Sequence, residues 1–174
     1  MDTWKEFEAN ELTHSAAHHL LAIHDVGLQY GGWARVSDIA RALNITRGSV
    51  SINLRVLKKR GWVDTDAHRL VKLTPAGLQA AKSVMAKRVI LKRFFSDVLG
   101  VPAAQADIDS CKIEHLVSDA TGERLARFLR FLTHARSSSD FIERFRRFHG
   151  ACPKGKTCEV CQGHCVLDEL TRAI

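Results

Sequence analysis

The stretch over residues 34–60, ARVSDIARALNITRGSVSINLRVLKKR, decides the fold of the amino-terminal half of this chain. Its apolar residues recur at helical spacing in two separate runs. Asn44-Ile45-Thr46 lies between the runs and interrupts the pattern, and Ser37 or Asp38 is available to cap the first helix. Two short helices joined by a tight turn form a helix-turn-helix, whose second helix we predict over residues 46–60.

The flanking sequence extends this motif into a winged helix followed by further helices. Upstream, apolar spacing predicts a helix over residues 14–29, ended by two adjacent glycines. Downstream, two β-prone runs around a polar turn predict a hairpin, the wing, over residues 61–73. Thr74 and Pro75 suit the N-cap and first position of a long helix that reaches residue 99. Helical spacing continues in a segment carrying Ile108 to His115, in residues 123–133, and in a last segment with Phe141, Phe145 and Phe148 on one face.

The predicted fold is therefore mainly α. We place an amino-terminal winged helix-turn-helix domain in residues 1–74, an all-helical domain in residues 75–148 and a cysteine-rich tail in residues 149–174. No apolar run is long enough for a membrane helix, and the polar, acidic start lacks the features of a secretory signal. We expect a cytoplasmic protein without a membrane partner.

The charge distribution points to nucleic acid as the partner. Residues 33–93 contain fourteen Lys or Arg and three acidic residues, an excess of eleven positive charges against a net charge of +7 for the whole chain. The second helix of the helix-turn-helix has small polar residues and an arginine at its start and a basic run at its end. We predict that these groups contact double-stranded DNA in the major groove. The predicted DNA-binding residues are Arg35, Thr46, Arg47, Gly48, Ser49, Ser51, Asn53, Lys58, Lys59 and Arg60.

Two other classes of function stay open on the sequence alone. A winged helix can serve as an adaptor for protein partners, and the cysteine-rich tail would suit a small redox protein. The chain has no phosphate-binding loop, nucleophile triad or substrate-pocket motif, so we expect neither an enzyme nor a small-molecule substrate.

Three motifs carry a resemblance to a known family. They are Ala34-Arg-Val-Ser-Asp-Ile-Ala-Arg-Ala-Leu43, Gly48-Ser-Val-Ser51 and Cys111-Lys-Ile-Glu-His115. Over about residues 14–131 the chain resembles the diphtheria-toxin-repressor and manganese-transport-regulator family of metal-dependent repressors. The resemblance implies that the all-helical domain forms a homodimer. It also implies that a divalent metal orders the first helix against that domain, so that the dimer binds a palindromic operator and acts as a repressor.

A candidate metal site lies in the third of these motifs. Cys111, Glu114 and His115 stand at i, i+3 and i+4, so one helix face would present all three side chains. The family resemblance adds His18 of the first helix as a fourth ligand. A thiolate, a carboxylate and two imidazoles suit Fe2+, Co2+, Ni2+ or Zn2+ better than Mn2+, and Fe2+ is the ion we expect.

The sequence departs from the family at a second metal site. The family's ligand positions there correspond to Arg88, Lys92 and Asp107 in this chain. Fixed cations repel a second divalent ion, so we expect at most one metal between the helices. An alternative is that no metal binds and that Arg88 or Lys92 pairs with Glu114. His14 and His19 lie close enough in sequence to change the ligand set.

The tail carries a second candidate site that the resemblance does not cover. Four cysteines, Cys152, Cys158, Cys161 and Cys165, fall within fourteen residues and suit an iron-sulfur cluster, of the four-iron, four-sulfur (4Fe-4S) type, or zinc. A redox disulfide is a further alternative, and His149 and His164 are substitute ligands. Because basic residues weaken the site between the helices, the sequence favours the tail as the part that carries the signal.

Overall fold

The computed structural model describes residues 12–134 and 138–148. It is mainly helical, as the sequence predicts, with one small antiparallel hairpin. Among the described residues, no helix combines the length and the apolar composition that crossing a bilayer requires. The elements are α1 (His14–Leu28), α2 (Val36–Leu43), α3 (Arg47–Lys59), β1 (Val63–Thr65), β2 (Val71–Leu73), α4 (Pro75–Arg93), α5 (Ala103–Ile113), α6 (Asp119–His134) and α7 (Ser138–Arg147).

Threonine side chains begin three of the helices. The hydroxyls of Thr13, Thr46 and Thr74 each accept a hydrogen bond from the amide three residues later, at 3.1 to 3.2 Å. Each bond satisfies one of the amides that a helix leaves unpaired at its first turn. The Thr74 cap with Pro75 in the first helical turn confirms the predicted start of α4.

The predicted cap of α2 by Ser37 or Asp38 is wrong. The helix begins at Val36, and its N-cap residue Arg35 makes no side-chain capping bond. The start is fixed from outside the helix, because Ala34 exchanges two backbone hydrogen bonds with Val71 of the wing, at 2.7 and 2.9 Å. This bridge holds the chain extended up to Arg35, so helical geometry begins at the next residue.

The wing and the first three helices share one hydrophobic core. In the hairpin, Val63 lies opposite Leu73 and Thr65 opposite Val71. The Asp66 carboxylate closes the turn by accepting amide hydrogen bonds at 2.9 and 2.7 Å. The core's most deeply buried large side chains come from α1, α2, α3 and β2, and they are Leu20, Ile23, Ile39, Val50, Leu57 and Val71.

The helices between the wing and residue 134 are built on α4. This helix continues through a π-helical turn, Phe94–Val98, and stops before Gly100, whose φ of +74° suits a residue without a side chain. Helices α5 and α6 pack against α4. The Lys87 ammonium group donates to the Val117 carbonyl at 2.9 Å and to Asp119 at 3.1 Å, which attaches the start of α6 to α4. Helix α6 thus begins at Asp119, four residues earlier than predicted.

Helix α7 belongs to a second unit, residues 136–174, and we describe it by itself. It confirms the predicted last amphipathic helix, with Phe141 and Phe145 exposed on it and Phe148 directly after its end. Ion pairs at i, i+4 spacing, Asp140 with Arg144 and Glu143 with Arg147, stabilise its polar side. The domain limits at residues 74 and 148 stay predictions.

We expect Gly77→Ala to destabilise the protein by about 2 kcal/mol, because a Cβ there would overlap the carbonyl oxygen of Trp62 and lie 2.8 Å from its carbonyl carbon. The backbone cannot move away easily, since the Thr74 amide and hydroxyl are bonded to the Trp62 and Gly61 carbonyls. Gly48→Ala is the matched control, because its Cβ would meet only Thr46 Oγ1, at 3.7 Å. Urea unfolding measures both variants, and equal midpoints would contradict the expected overlap.

Candidate metal centre and DNA interface

Helix α5 ends before the predicted metal-binding motif is complete. Its last helical residue is Ile113, so Cys111 lies in the final turn, Glu114 caps the helix and His115 follows it. Glu114 keeps helical backbone angles, and its amide donates to the Ser110 carbonyl. The side chains of Cys111 and Glu114 nevertheless meet different partners. The Cys111 thiol is directed toward α1, whereas the Glu114 carboxylate is directed toward Arg88 of α4.

The thiol meets two histidines of α1. Cys111 Sγ lies 3.2 Å from His18 Nε2, as expected of two ligands to one ion. His14 stands one helical turn before His18, and their ring centroids are 4.4 Å apart. Each of these three residues offers one ligand atom, and those atoms all lie within 4.8 Å of one another. His115 is adjacent, with its ring centroid 5.1 Å from that of His14. We call His14, His18 and Cys111 the interhelical cluster.

Glu114 takes part in a different network. Its side chain is fully buried, and its Oε2 lies 3.8 Å from Arg88 Nε. Arg88 also lies 3.5 Å from Asp107, and the Lys92 ammonium group is 3.3 Å from the same carboxylate. The predicted ion pair between Arg88 and Glu114 is confirmed. Fixed cations thus neutralise the acidic side chains beside the interhelical cluster.

Burial and neighbouring charges shift the pKa values of His18, His115 and Cys111. Burial lowers the pKa of His18, and His14 and Arg88 lower it further. Burial also lowers the pKa of His115, with smaller effects from His14 and Lys87. His18 and His115 therefore favour the neutral imidazole, which is the form that binds metal. Burial raises the pKa of the Cys111 thiol, so a bound cation would have to displace its proton.

In metal-free protein, Glu114 should make the free energy of unfolding fall as the pH rises. Burial raises its pKa from 4.5 to about 7, with Arg88 opposing the rise, so the folded state binds more protons than the unfolded state between these pH values. We expect a loss on the order of 2 kcal/mol across this window, absent in Glu114→Gln. Unfolding of both proteins in chelator at pH 5 and 7.5 measures it. The comparison isolates Glu114, because His18 and His115 are present in both proteins. If the free energy of unfolding depended equally on pH in the two proteins, the role assigned to Glu114 would be refuted.

The residues predicted to bind metal are brought together only in part. His18 and Cys111 meet, His115 lies beside them, and Glu114 is paired with Arg88 instead. His14 was considered in the sequence only as a neighbour, although its i, i+4 spacing from His18 was the signal that places both rings on one helix face. His19 is buried, and its Nδ1 lies 2.6 Å from the Ser15 carbonyl oxygen.

Helix α3 presents a polar and basic face to solvent. The residues exposed along this face recur at helical spacing, and they are Arg47, Gly48, Ser51, Ile52, Arg55, Lys58 and Lys59. Arg55 and Ile52, which is 57% exposed, were missing from the predicted set, although both continue the face that begins at Arg47. The Ser51 hydroxyl donates to the Arg47 carbonyl at 2.9 Å, within the same face.

Several predicted DNA-binding residues have roles inside the protein. The Asn53 amide donates to the Ser49 carbonyl at 3.1 Å and accepts from the Ser15 hydroxyl of α1 at 3.1 Å. Asn53 is therefore half-buried against α1 instead of lying on the exposed face. The hydroxyls of Thr46 and Ser49 lie 2.9 Å apart at the start of α3, where Thr46 is the cap.

Lys58 lies on this face, and Arg35 and Arg60 flank it. Lys58 donates to Thr65 of the wing at 3.1 Å, and the Arg60 guanidinium lies 5.3 Å from the centre of the Trp62 ring. Arg35 is exposed at the start of α2. The tail cysteines Cys152, Cys158, Cys161 and Cys165 lie outside the described residues, as do His149 and His164.

Comparison with known proteins gives the class of protein to which the two halves of the described chain are similar. Residues 74–143 match the family described as iron dependent repressor, metal binding and dimerisation domain, and residues 11–70 match the MarR family. A helix-turn-helix transcriptional regulator of Methanocaldococcus jannaschii is 30% identical over 95 residues, which is 55% of this chain and 76% of that protein. The transcriptional regulator MntR of Lysinibacillus sphaericus is 34% identical over 95 residues, covering 55% of this chain and 68% of MntR.

A solved structure, that of T. acidophilum IdeR, is similar with a TM-score of 0.52 and 27% identity, over 64% of this chain and 53% of the IdeR chain. The present chain thus spans about half the length of that relative. The matched regions contain the winged helix and the helices that carry the interhelical cluster. The chain belongs to the family of metal-dependent helix-turn-helix transcriptional repressors.

Proposed function

We propose that this protein represses transcription by binding a palindromic operator as a homodimer when a divalent metal occupies the site between α1 and α5. The contact between Cys111 and His18 carries the proposal, because it joins the helical domain to the first helix of the DNA-binding domain. A metal shared by these two side chains would fix α1 relative to α5. The donor chemistry fits, since neutral imidazoles and a thiolate bind borderline divalent ions.

A short path leads from this site to the DNA-reading helix. Ser15 follows the ligand candidate His14 directly and donates a hydrogen bond to Asn53 of α3. Helix α1 also packs against α2 and α3 in the common core. Ordering α1 therefore favours one position of α3, which is the coupling that a metal-dependent repressor requires.

The exposed apolar surface of the helical domain supports the homodimer. Several large apolar side chains of α4, α5 and α6 are at least one third exposed. An apolar surface of this kind is typical of a protein interface, and a twofold dimer would present two α3 helices to successive turns of DNA. The exposed side chains are Val89, Ile108, Phe128 and Phe131.

Duplex DNA binding with and without metal tests the proposal. We expect affinity for operator DNA, selected from random duplexes, to rise about tenfold or more when Fe2+, Co2+ or Zn2+ replaces chelator, and to fall steeply with salt. Equal affinity in chelator and in each metal would overturn the metal-dependent function. A protein that binds no duplex under any condition would be an adaptor instead.

A cofactor in the tail is a separate proposal supported by the sequence alone. Four clustered thiols with nearby glycines suit an iron-sulfur cluster or zinc. Iron, acid-labile sulfide and zinc analysis of anaerobically purified protein tests it. Brown protein with matching iron and sulfide supports the cluster, and colourless protein with zinc supports the zinc site. Protein that contains no iron, sulfide or zinc would refute a tail cofactor.

A further inference from the structure

We propose that the metal site between α1 and α5 uses only nitrogen and sulfur ligands, and that His14, with neither Glu114 nor His115, completes the set formed by His18 and Cys111. This inference rests on the proposed function and specifies its ligand. The ligands are His14, His18 and Cys111, and the ion is a borderline divalent metal of the Zn2+ and Co2+ type. Mn2+ is disfavoured because it prefers oxygen ligands.

Convergence of the ligand atoms is the first observation. The imidazoles of His14 and His18 share one face of α1, and Cys111 Sγ approaches His18 Nε2 to 3.2 Å. The ligand atoms of all three residues lie within 4.8 Å of one another, which places each of them near a common centre. Zn2+ binds nitrogen at about 2.0 Å and sulfur at about 2.3 Å, so only small side-chain rotations would be needed.

The second observation is that Glu114 faces Arg88 and not the interhelical cluster. Its carboxylate lies beside Arg88 on α4, and within the described residues neither oxygen has a hydrogen-bond partner. The carboxylate thus lies on the side of Arg88, outside the group of ligand atoms that His14, His18 and Cys111 bring together. His14, by contrast, is exposed and belongs to that group.

The resulting site has three protein ligands and one open position. The exposure of His14 leaves that side of the ion accessible to water, which would complete a tetrahedral set. Such a site lies at the edge of α1, so the ion can enter and leave without unfolding the core. Reversible occupancy of this kind is required of a sensor.

Cobalt titration of the full chain tests the ligand set. The four tail cysteines are replaced by serine, so that Cys111 is the sole thiol of the five cysteines in the sequence. We expect one Co2+ per chain, with the strong visible bands of tetrahedral cobalt and a near-ultraviolet thiolate-to-cobalt band. The thiolate band should disappear in Cys111→Ser.

Three further variants in this background separate the candidate ligands. We expect His14→Ala to weaken Co2+ binding by about tenfold or more, and Glu114→Gln to change it by less than about threefold. His24→Ala is the matched control, because His24 lies on the same helix but pairs with Asp25. Circular dichroism checks that each variant is folded.

The outcomes distinguish this inference from the function on which it rests. Unchanged binding in His14→Ala, with loss in Glu114→Gln, would overturn the ligand set proposed here. The thiolate band and metal-dependent DNA binding would then still support the proposed function. Absence of Co2+ binding in the parent protein would overturn the ligand set, and metal-independent DNA binding would overturn the function.

Discussion

Cys111→Ser is expected to abolish the gain in operator affinity that divalent metal produces, while affinity in chelator stays at the wild-type level. The thiol is the group through which α5 reaches α1, at 3.2 Å from His18. Without it the metal keeps only ligands of α1 and can no longer hold the two helices together. The coupling lost corresponds to about 1 to 3 kcal/mol, or 5-fold to 150-fold in affinity.

Operator titrations in chelator and in saturating metal, at one fixed salt concentration, measure this loss. The double variant Cys158→Ser/Cys161→Ser is the control, because it removes two thiols from the tail and leaves the interhelical cluster intact. We expect it to retain the metal response. A wild-type response in Cys111→Ser, together with its loss in the tail variant, would move the sensing site to the tail.

This expectation differs from the one based on sequence, which places the signal in the tail. The sequence predicts that Arg88 and Lys92 weaken a metal site between the helices. In the structure both side chains are engaged by acidic groups, Arg88 by Glu114 and both by Asp107. Their charges are therefore partly neutralised. The ligand atoms of His14, His18 and Cys111 still lie close together beside them. The proposed role of the tail cysteines stays a prediction.

Local patterns were sufficient to predict the winged helix. Periodic apolar residues and capping threonines are short-range signals, and α1, α3, the wing and the start of α4 lie within one or two residues of their predicted places. The start of α2 was missed because its cause is a bridge between Ala34 and Val71, which are far apart in sequence. Tertiary contacts of this kind override local capping preferences.

The metal site was harder to predict because it depends on what packs beside α5. Spacing of i, i+3 and i+4 brings three side chains near one another, but it does not decide which partner each of them meets. The separation of Glu114 from Cys111 also depends on Arg88, contributed by another helix. The family resemblance supplied His18. The role of His14 depends on the approach of Cys111 to α1, which the sequence does not show.

The same reasoning applies to the recognition helix. Asn53 has a side chain well suited to reading adenine, and the sequence alone placed it among the DNA contacts. The structure shows it bonded to Ser15 and to the Ser49 carbonyl, which leaves Arg55 as the next long side chain on the exposed face after Arg47. Residues two positions apart along a helix point to nearly opposite sides, so Arg55 is exposed while Asn53 lies on the side of α3 that meets α1.

Replacing Arg47 and Arg55 by alanine together is expected to lower operator affinity by about 100-fold or more, since each arginine contributes on the order of 1 to 3 kcal/mol. Both side chains are exposed and stand eight residues apart, about two helical turns, so both face the same groove. If they read bases, the single variants should also relax the preferred sequence at separate positions. Competition with scrambled duplexes at fixed salt measures this preference.

Two matched variants make the test specific. Lys59→Ala removes a charge at the far end of α3 and should weaken binding equally on all sequences, because a phosphate contact carries no sequence information. Asn53→Ala should leave sequence preference unchanged in metal-saturated protein and lower the free energy of unfolding by about 1 kcal/mol, through loss of its hydrogen bonds to α1 and α3. If Asn53→Ala instead relaxed the sequence preference as strongly as Arg55→Ala, the reading face of α3 would have to be turned toward Asn53, and the hydrogen bond to Ser15 would have to break when DNA binds.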